Sequence, residues 1–407
     1  MRTFEIIDSF FKKHFHYVWN PFFPTKILLW FSLLFPSNKK PFPHGKREGI
    51  LVVKLDFIGD IVVISAFLRE LRRNYPAAAI TLVVNPRVFN LIEYCPHVDT
   101  VLIFAPTDRG KIRNYLNAAR FSRQHFLSYN YRIAIFPRWD YDFTFSSRLI
   151  FLSNAPLRIG FSESVNPVKE QKNRGYNSFF SKIVEEKKIC HEVEYPLHLI
   201  NELGGNVQSD ELEIWTTPAD DTFVQNLFTK LDIDKQAKLV LCCPGAGELK
   251  RKWPIEKFSE VCMRTSWKYS VKIIVVGSAE ESSLGEQLYR TCSDNVYNMV
   301  GKLSLRQIAS LMKRCLLYVG NDSGLMHIAA ALKLPVVEIS CHPEDGDKLH
   351  ANSPYRWHPW KTKYDIVQPK SALLPCSKWC DASFPHCIST IEVEQVEIAI
   401  DTFLSCA

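Results

Sequence analysis

Short apolar runs alternate with helix-patterned segments twice along this 407-residue chain, and that alternation leaves few folds open. In the first half, residues 50–55 are apolar except for Lys54, and residues 80–84, 100–104 and 131–136 follow as further strand-length runs. Helical patterns fall between them, over residues 61–74 and around Ile112, Tyr115, Leu116 and Ala119. In the second half, Leu239–Cys243, 271–276, 316–319 and Val336–Ile339 read as strands, with helices over 256–269, 284–290 and 304–314. Strands that are apolar at every position are buried on both faces, as in a parallel sheet covered by helices. The expected fold is α/β, with two doubly wound, Rossmann-like domains facing a cleft. A chain of this length also exceeds what one hydrophobic core usually organises. The expected first domain is 48–215 and the second 216–390, with a helix in 391–407 packing back onto the first. Residues 161–188 read as a long polar surface loop, and a helix over 192–203 stops at Gly204-Gly205.

Residues 1–47 differ from the rest. Phe10, Phe11, Phe15, Tyr17 and Trp19 are interleaved with Lys12 and Lys13, and Lys39, Lys40, Lys46 and Arg47 follow a second apolar piece. That piece, residues 27–35, is far short of the roughly 20 residues a spanning helix needs. No small-residue cleavage site follows it, so a signal peptide is not expected. Aromatic and basic residues together suit an amphipathic extension lying on a membrane surface. A net charge of +7 permits an anionic substrate, and no basic run carries the interleaved aromatics of a nucleic-acid face, so no nucleic-acid partner is expected. Most of the 12 cysteines fall inside strand or helix patterns, where reduced thiols pack as small hydrophobes, so a reducing, cytoplasmic setting is expected.

Three turns stand at the carboxyl ends of expected strands, where open α/β sheets bind ligands. The first runs from Asp56 to Asp60. The second is Pro244-Gly245-Ala246-Gly247, leading to Lys250-Arg251-Lys252-Trp253-Pro254. In the third, Gly320 breaks a strand, Asn321, Asp322 and Ser323 are all helix-capping types, and Gly324 opens an apolar helix that Pro335 later stops. A helix start of this kind turns unpaired N–H groups and a positive dipole end toward the turn, which suits a phosphate. Together the turns offer a carboxylate, cations and an anion cradle. Such a set fits transfer of a group away from a phosphate leaving group. Rival readings find less support. Gly245-Ala246-Gly247 lacks the third glycine of a dinucleotide fingerprint, no phosphate loop ends in Gly-Lys-Ser or Gly-Lys-Thr, and no Gly-x-Ser-x-Gly elbow is present.

The segments Ile50-Leu-Val-Val-Lys-Leu-Asp-Phe-Ile-Gly-Asp60, Arg69-Glu-Leu-Arg-Arg-Asn-Tyr-Pro76, Lys252-Trp253-Pro254 and Gly320-Asn-Asp-Ser-Gly-Leu-Met-His327 carry a family likeness. The chain resembles the heptosyltransferases, GT-B glycosyltransferases of family 9 that build the lipopolysaccharide inner core, over roughly residues 49–389. The resemblance implies an inverting, metal-independent transferase with no cofactor. It would move a sugar, such as heptose from ADP-heptose, onto a lipid-linked saccharide at the cytoplasmic face of the inner membrane. It implies that Asp60 is the general base. It also implies that Asp322, Ser323, Gly324 and Leu325, with Asn321 before them and His327 one turn on, hold the donor diphosphate beside Gly245 and Ala246. The family usually has Lys two positions before Trp; this chain has Arg251 there, flanked by Lys250 and Lys252, so all three are candidates for the phosphate contact. Alternatives are a non-catalytic nucleotide-sugar-binding protein of the same fold and a nicotinamide-dependent oxidoreductase. Each site residue also has a plainer reading: Asp60 as helix-dipole partner, His327 as a structural histidine, the cations as a solvated run.

Two further groups stand out. His342, Glu344, Asp345, Tyr355, Arg356 and Trp357 follow the strand Val336–Ile339 and are expected to wall the donor sugar. Cys376, Cys380 and Cys387, with His386, have the spacing Cys-x3-Cys-x6-Cys, which does not match the common zinc patterns. Packing or a redox-labile pair is the expectation there, with no metal.

Overall fold

The computed structural model describes Phe42 and residues 48–106, 111–292 and 295–405. The expected amphipathic extension, residues 1–47, therefore lies outside the described residues apart from Phe42.

Twelve strands form two six-stranded sheets among the described residues. The first contains β1 (Gly49–Lys54), β2 (Ala79–Val84), β3 (Thr100–Ile103), β4 (Tyr131–Phe136), β5 (Leu157–Phe161) and β6 (Lys182–Val184), in the order β3-β2-β1-β4-β5-β6. The second contains β7 (Leu239–Cys243), β8 (Lys272–Val275), β9 (Val296–Asn298), β10 (Leu317–Asn321), β11 (Val336–Ile339) and β12 (Tyr364–Val367), in the order β12-β11-β10-β7-β8-β9. Counted from its own first strand, each sheet has the same doubly wound order, and its middle pairs, β1 with β4 and β7 with β10, run parallel. Every residue of β1, β2, β7, β10 and β11 is buried, as the uninterrupted apolar runs require of strands covered on both faces.

The chain divides into two compact units. One is built on the first sheet and includes Pro76–Val84 and Leu102–Lys187; the other joins Asp56–Tyr75 and Asn85–Val101 to Lys188–Ala407. In the first unit the Phe42 ring lies over Gly49, where an added Cβ would stand 2.1 Å from Phe42 Cζ, and stacks on Tyr129 at 5.1 Å. Residues 161–188 are more ordered than their polarity suggests. They hold the end of β5, a helix (Pro167–Lys172) and the short strand β6. The wholly buried Lys169 explains part of this order, since its Nζ donates to the carbonyls of Trp139 (2.9 Å) and Phe161 (3.1 Å). A buried ammonium needs such partners, and these two fasten the segment to the strand and loop beneath it.

In the second unit the helix Ile255–Tyr269 buries Phe258, Val261 and Cys262 against β7 and β8. The C-terminal helix Val393–Leu404 joins the same core through Val396, Ala399 and Ile400. Where the sequence suggested a return to the first domain, its apolar face is covered by the second sheet's core. Trp253 Nε1 donates to Ile391 O (3.0 Å) and Lys257 Nζ donates to the same carbonyl (2.8 Å), pinning the approach to that helix.

Burial on the helix Ile255–Tyr269 makes a direct test. Phe258 is fully buried and Trp267 is 86% exposed. Phe258→Ala should lower the unfolding free energy by about 3–5 kcal/mol, and Trp267→Ala by no more than about 0.5 kcal/mol, in denaturant titration.

Candidate active site

The switch point of the second sheet, where strand order reverses between β7 and β10, carries two of the turns that the sequence singles out. β10 runs one residue past Gly320 and ends at Asn321, whose side chain is wholly buried. Its Nδ2 donates to Pro244 O (2.7 Å) and its Oδ1 accepts from the Trp253 N–H (3.1 Å). Asn321 is thus a clamp that ties the loop after β7 and the Lys252-Trp253 segment to the end of β10.

The helix Gly324–Ala331 follows, with Ser323 as its N-cap residue. The Ser323 hydroxyl does not fold back onto the helix; it meets the Tyr318 hydroxyl at 3.1 Å. Met326 N–H bonds to Ser323 O, so the helix opens at Gly324 and Leu325 without a side-chain cap. Among the described residues, no side chain caps that positive dipole end, and its first turn holds no acidic residue.

Arg251 lies beside this start. One terminal nitrogen of its guanidinium donates to both the carboxylate of Asp322 (2.6 Å) and the Asp322 carbonyl (2.7 Å). Burial works against the charged guanidinium, but Asp322 and other nearby acidic groups together outweigh it, and the arginine pKa is raised. Its Nε–H is buried and has no partner among the described residues. Glu338 on β11 lies in the same interior, and its pKa is pushed well above the usual carboxylate range by burial and by Asp322. Lys250 meets Glu248 (3.2 Å) and Lys252 lies 3.7 Å from Glu281. The Glu281 carboxylate sits against Gly245, where an added Cβ would stand 2.1 Å from it, and accepts from Ser278 N–H (3.0 Å). Ala246 is buried next to it.

Within the same compact unit, the helix Ile58–Val63 packs on the helix Gly324–Ala331. The sequence pattern suggests one helix over 61–74; the structure starts it at Ile58 and breaks it at Ile64, before Ser65–Asn74. The contact is close at both ends. A Cβ on Gly324 would come 2.5 Å from Ile58, and one on Gly59 would come 2.6 Å from the His327 ring. Asp60 is nearly buried in the first turn, and its carboxylate acts electrostatically on His327. Burial dominates at His327 and lowers its pKa to about 4, against the opposing pull of Asp322 and Asp60, so the imidazole is neutral. Among the described residues its Nδ1 has no partner; its ring meets Trp357 edge-on at 5.5 Å, and that indole N–H is likewise buried and unpartnered there.

Asp60, Arg251, Asp322, Ser323, Gly324, Leu325 and His327 thus belong to one constellation, while Asn321 supports it from below. Arg356 is a different case. It is buried, its Nε donates to Glu192 (2.9 Å) and another of its nitrogens donates to Leu349 O (2.8 Å), so its charge is spent on the chain. Sequence reasoning missed Glu281 and Glu338. A Glu three residues after Ser278 was a visible capping signal, and Glu338 interrupts an apolar strand.

The chain is similar to known proteins over most of its length. The model of glycosyltransferase family 9 (heptosyltransferase) matches residues 140–381, more than half the chain. Lipopolysaccharide heptosyltransferase 2 of Salmonella typhimurium is 24% identical over 317 residues, covering 71% of this chain and 82% of that protein. Lipooligosaccharide heptosyltransferase 2 of Haemophilus ducreyi is 27% identical over 307 residues, covering 70% and 80%. Among solved structures, a family 9 glycosyltransferase from Veillonella parvula has a TM-score of 0.71 at 19% identity, covering 91% of this chain and all of that one. The E. coli ADP-heptose lipopolysaccharide heptosyltransferase II has a TM-score of 0.64 at 18% identity, covering 88% and 99%. At these identities the structural likeness speaks for the fold.

The histidine has a measurable consequence. Unfolded, His327 takes up a proton near pH 6.5; folded, it does so only near pH 4. The unfolded state therefore binds more protons between those values, and stability falls as pH drops through that window. His327→Gln should flatten the unfolding free energy against pH there by up to about 1.4 kcal/mol per pH unit, in denaturant titrations from pH 7 to 4.5. An unchanged slope would mean that His327 is solvated in the folded protein.

Proposed function

The chain belongs to glycosyltransferase family 9, the heptosyltransferase family, and from that premise we propose that it moves heptose from ADP-heptose onto a saccharide of the lipopolysaccharide core. It is an inverting glycosyltransferase with the GT-B fold of two doubly wound α/β domains. The observation that supports the site assignment is the convergence of unpaired donors. Arg251 Nε, the Trp357 indole N–H and an uncapped helix start lie near a neutral His327 whose Nδ1 is also unpaired. Buried polar atoms without partners are rare, and here they gather where an anionic donor would supply acceptors.

In this reading Asp60 takes the proton from the acceptor hydroxyl as that oxygen forms its bond to the anomeric carbon. The bond from that carbon to the diphosphate oxygen breaks, and its electron pair leaves with the nucleoside diphosphate. Entry and departure on opposite faces give inversion. The growing charge on the leaving group meets the N–H groups of Gly324 and Leu325, Arg251, Lys250 and Lys252. Glu281, held against Gly245 after β8, is placed as an acceptor for ribose hydroxyls, the role an acidic residue takes in this type of sheet. Replacing Lys by Arg at position 251 favours activity over loss of function: the guanidinium fork binds Asp322 twice and still keeps one N–H for a ligand.

We also propose peripheral contact with the inner membrane through the aromatic and basic residues 1–47. Among the described residues, no helix is long and apolar enough to cross a membrane. Flotation with vesicles of anionic phospholipid decides this point.

Asp60→Asn should keep its thermal shift with ADP and lose transfer from ADP-heptose by at least about 100-fold in kcat, a typical general-base contribution. Arg251→Lys should instead raise the donor KM about 10-fold, as expected for loss of one charge-assisted hydrogen bond. Near-normal turnover in Asp60→Asn would remove that carboxylate from the mechanism. A larger thermal shift with UDP or GDP than with ADP would overturn the donor assignment.

A further inference from the structure

The loop between β12 and the C-terminal helix gathers four side chains that the proposed reaction does not use. Cys376, Cys380 and Cys387 are buried, and one ligand atom from each of these and from His386 lies within 4.8 Å of all the others. Cys376 Sγ and Cys387 Sγ lie 3.6 Å and 3.5 Å from His386 Nδ1. A tetrahedral ion with metal–sulfur bonds of 2.3 Å and metal–nitrogen bonds of 2.0–2.1 Å has a sulfur-to-nitrogen edge of about 3.6 Å. The two observed separations match that edge. They leave room for an ion at the centre, whereas direct packing of thiols brings no need for an imidazole aimed at them.

Two further observations agree. The Asp381 N–H points at Cys376 Sγ (3.3 Å), the backbone donor that commonly supports a metal-bound thiolate. The apolar material around the three sulfurs is small: among the described residues, the partly buried hydrophobics packed against them are Ala372 and Ala382. Such a cluster buries too little hydrocarbon to hold a long loop with hardly any regular structure. A metal bond network supplies that order directly, as it does in small metal-knotted domains.

We propose that Cys376, Cys380, His386 and Cys387 bind one tetrahedrally coordinated transition-metal ion, Zn2+ or Fe2+. Three thiolates and an imidazole are the soft donor set these ions share, and four protein ligands close the site against substrate. The ion is structural. The cysteine spacing hides it because the fourth ligand is the neighbour of the last cysteine, an arrangement outside the usual paired motifs.

The knot also has a place to act. Trp379, inside the loop, stacks on His350 (5.5 Å, 10° between planes), and His350 stacks on His342 (5.4 Å, 16°). Lys378 O accepts the Asp347 N–H at 3.1 Å. The ion thereby positions the segment that follows β11, which the donor reading assigns to the sugar wall; only this last consequence rests on that reading.

The test uses the full chain, purified under reducing conditions without chelator or added metal. Elemental analysis should give about one zinc or iron per chain, and an iron site would add thiolate-to-metal absorption in the visible range. Cys380→Ser and His386→Ala should each lower that content by about 10-fold or more, while Cys315→Ser, outside the cluster, should keep it. Should the ligand variants fail to fold, the wild-type chain stripped of metal and given Co2+ still decides the matter. Intense d–d bands with a sulfur charge-transfer band support tetrahedral sulfur ligation. Wild-type protein with neither zinc nor iron and no such cobalt spectrum overturns the proposal, as does a Cys376–Cys380 disulfide in the freshly isolated chain.

Discussion

Two glycines let the proposed base and the proposed diphosphate cradle come together. The helix starts at Ile58 and Gly324 approach so closely that a Cβ at either Gly59 or Gly324 would overlap the other helix. Bringing two helix starts together also brings two positive dipole ends together, which is unfavourable without nearby negative charge. Asp60 lies in the first turn of one helix, and Asp322 lies just ahead of the other. Neither helix has a side-chain cap. The contact is therefore sterically tight and electrostatically unfinished, and a bound diphosphate would complete it.

Beneath the cradle, charge is balanced within a small buried group. Arg251 offers one positive charge, and Asp322 and Glu338 offer two carboxyl groups. Two carboxylates and one guanidinium in a dry interior would leave an uncompensated negative charge, which the interior tolerates poorly. Burial and Asp322 both push the Glu338 carboxyl toward its neutral form, which lessens that excess. Asp322 is the carboxylate in direct contact, and it holds the guanidinium through its carboxylate and its carbonyl together. Held this way by one nitrogen, the arginine still keeps its Nε–H out of the pair with Asp322. A lysine has no second arm with which to hold Asp322 while presenting a donor elsewhere.

Most strands were legible because they are short runs of mainly apolar residues, even where Lys54 or Glu338 interrupts them. Leu239–Cys243 and Val336–Ile339 were readable to the residue. β5 was not, its run being broken by Arg158, nor were β6 and β9, three residues each, and β12, where only Val367 is fully buried, because short edge strands carry little of that signal. The donor turn was readable as a helix start, yet the cap residue was not: Asn321, Asp322 and Ser323 have equal propensity, and the structure assigns the cap to Ser323. Asn321 is instead drawn into β10 by its bonds to Pro244 and Trp253, 77 and 68 positions away. No local pattern encodes such a clamp. The pairing of Arg356 with Glu192, 164 positions apart, was hidden for the same reason.

His327 connects these strands of argument. A protonated imidazole beside Asp60 would offer that carboxylate a competing partner and would place a further cation next to Arg251. Burial prevents this by holding the ring neutral. A neutral ring also keeps one nitrogen able to accept a hydrogen bond, which a cation cannot do. In the tautomer that leaves Nδ1 bare, it and the Trp357 N–H, both unpartnered among the described residues, form an acceptor and a donor on adjoining rings. Sugar hydroxyls, which donate and accept at once, are the groups that such a pair of opposite polarity suits, whereas phosphate oxygens call for donors alone. On the proposed function, this would divide the work: the uncapped helix start and Arg251 would face the diphosphate, and His327, placed by the sequence beside that diphosphate, would with Trp357 face the sugar.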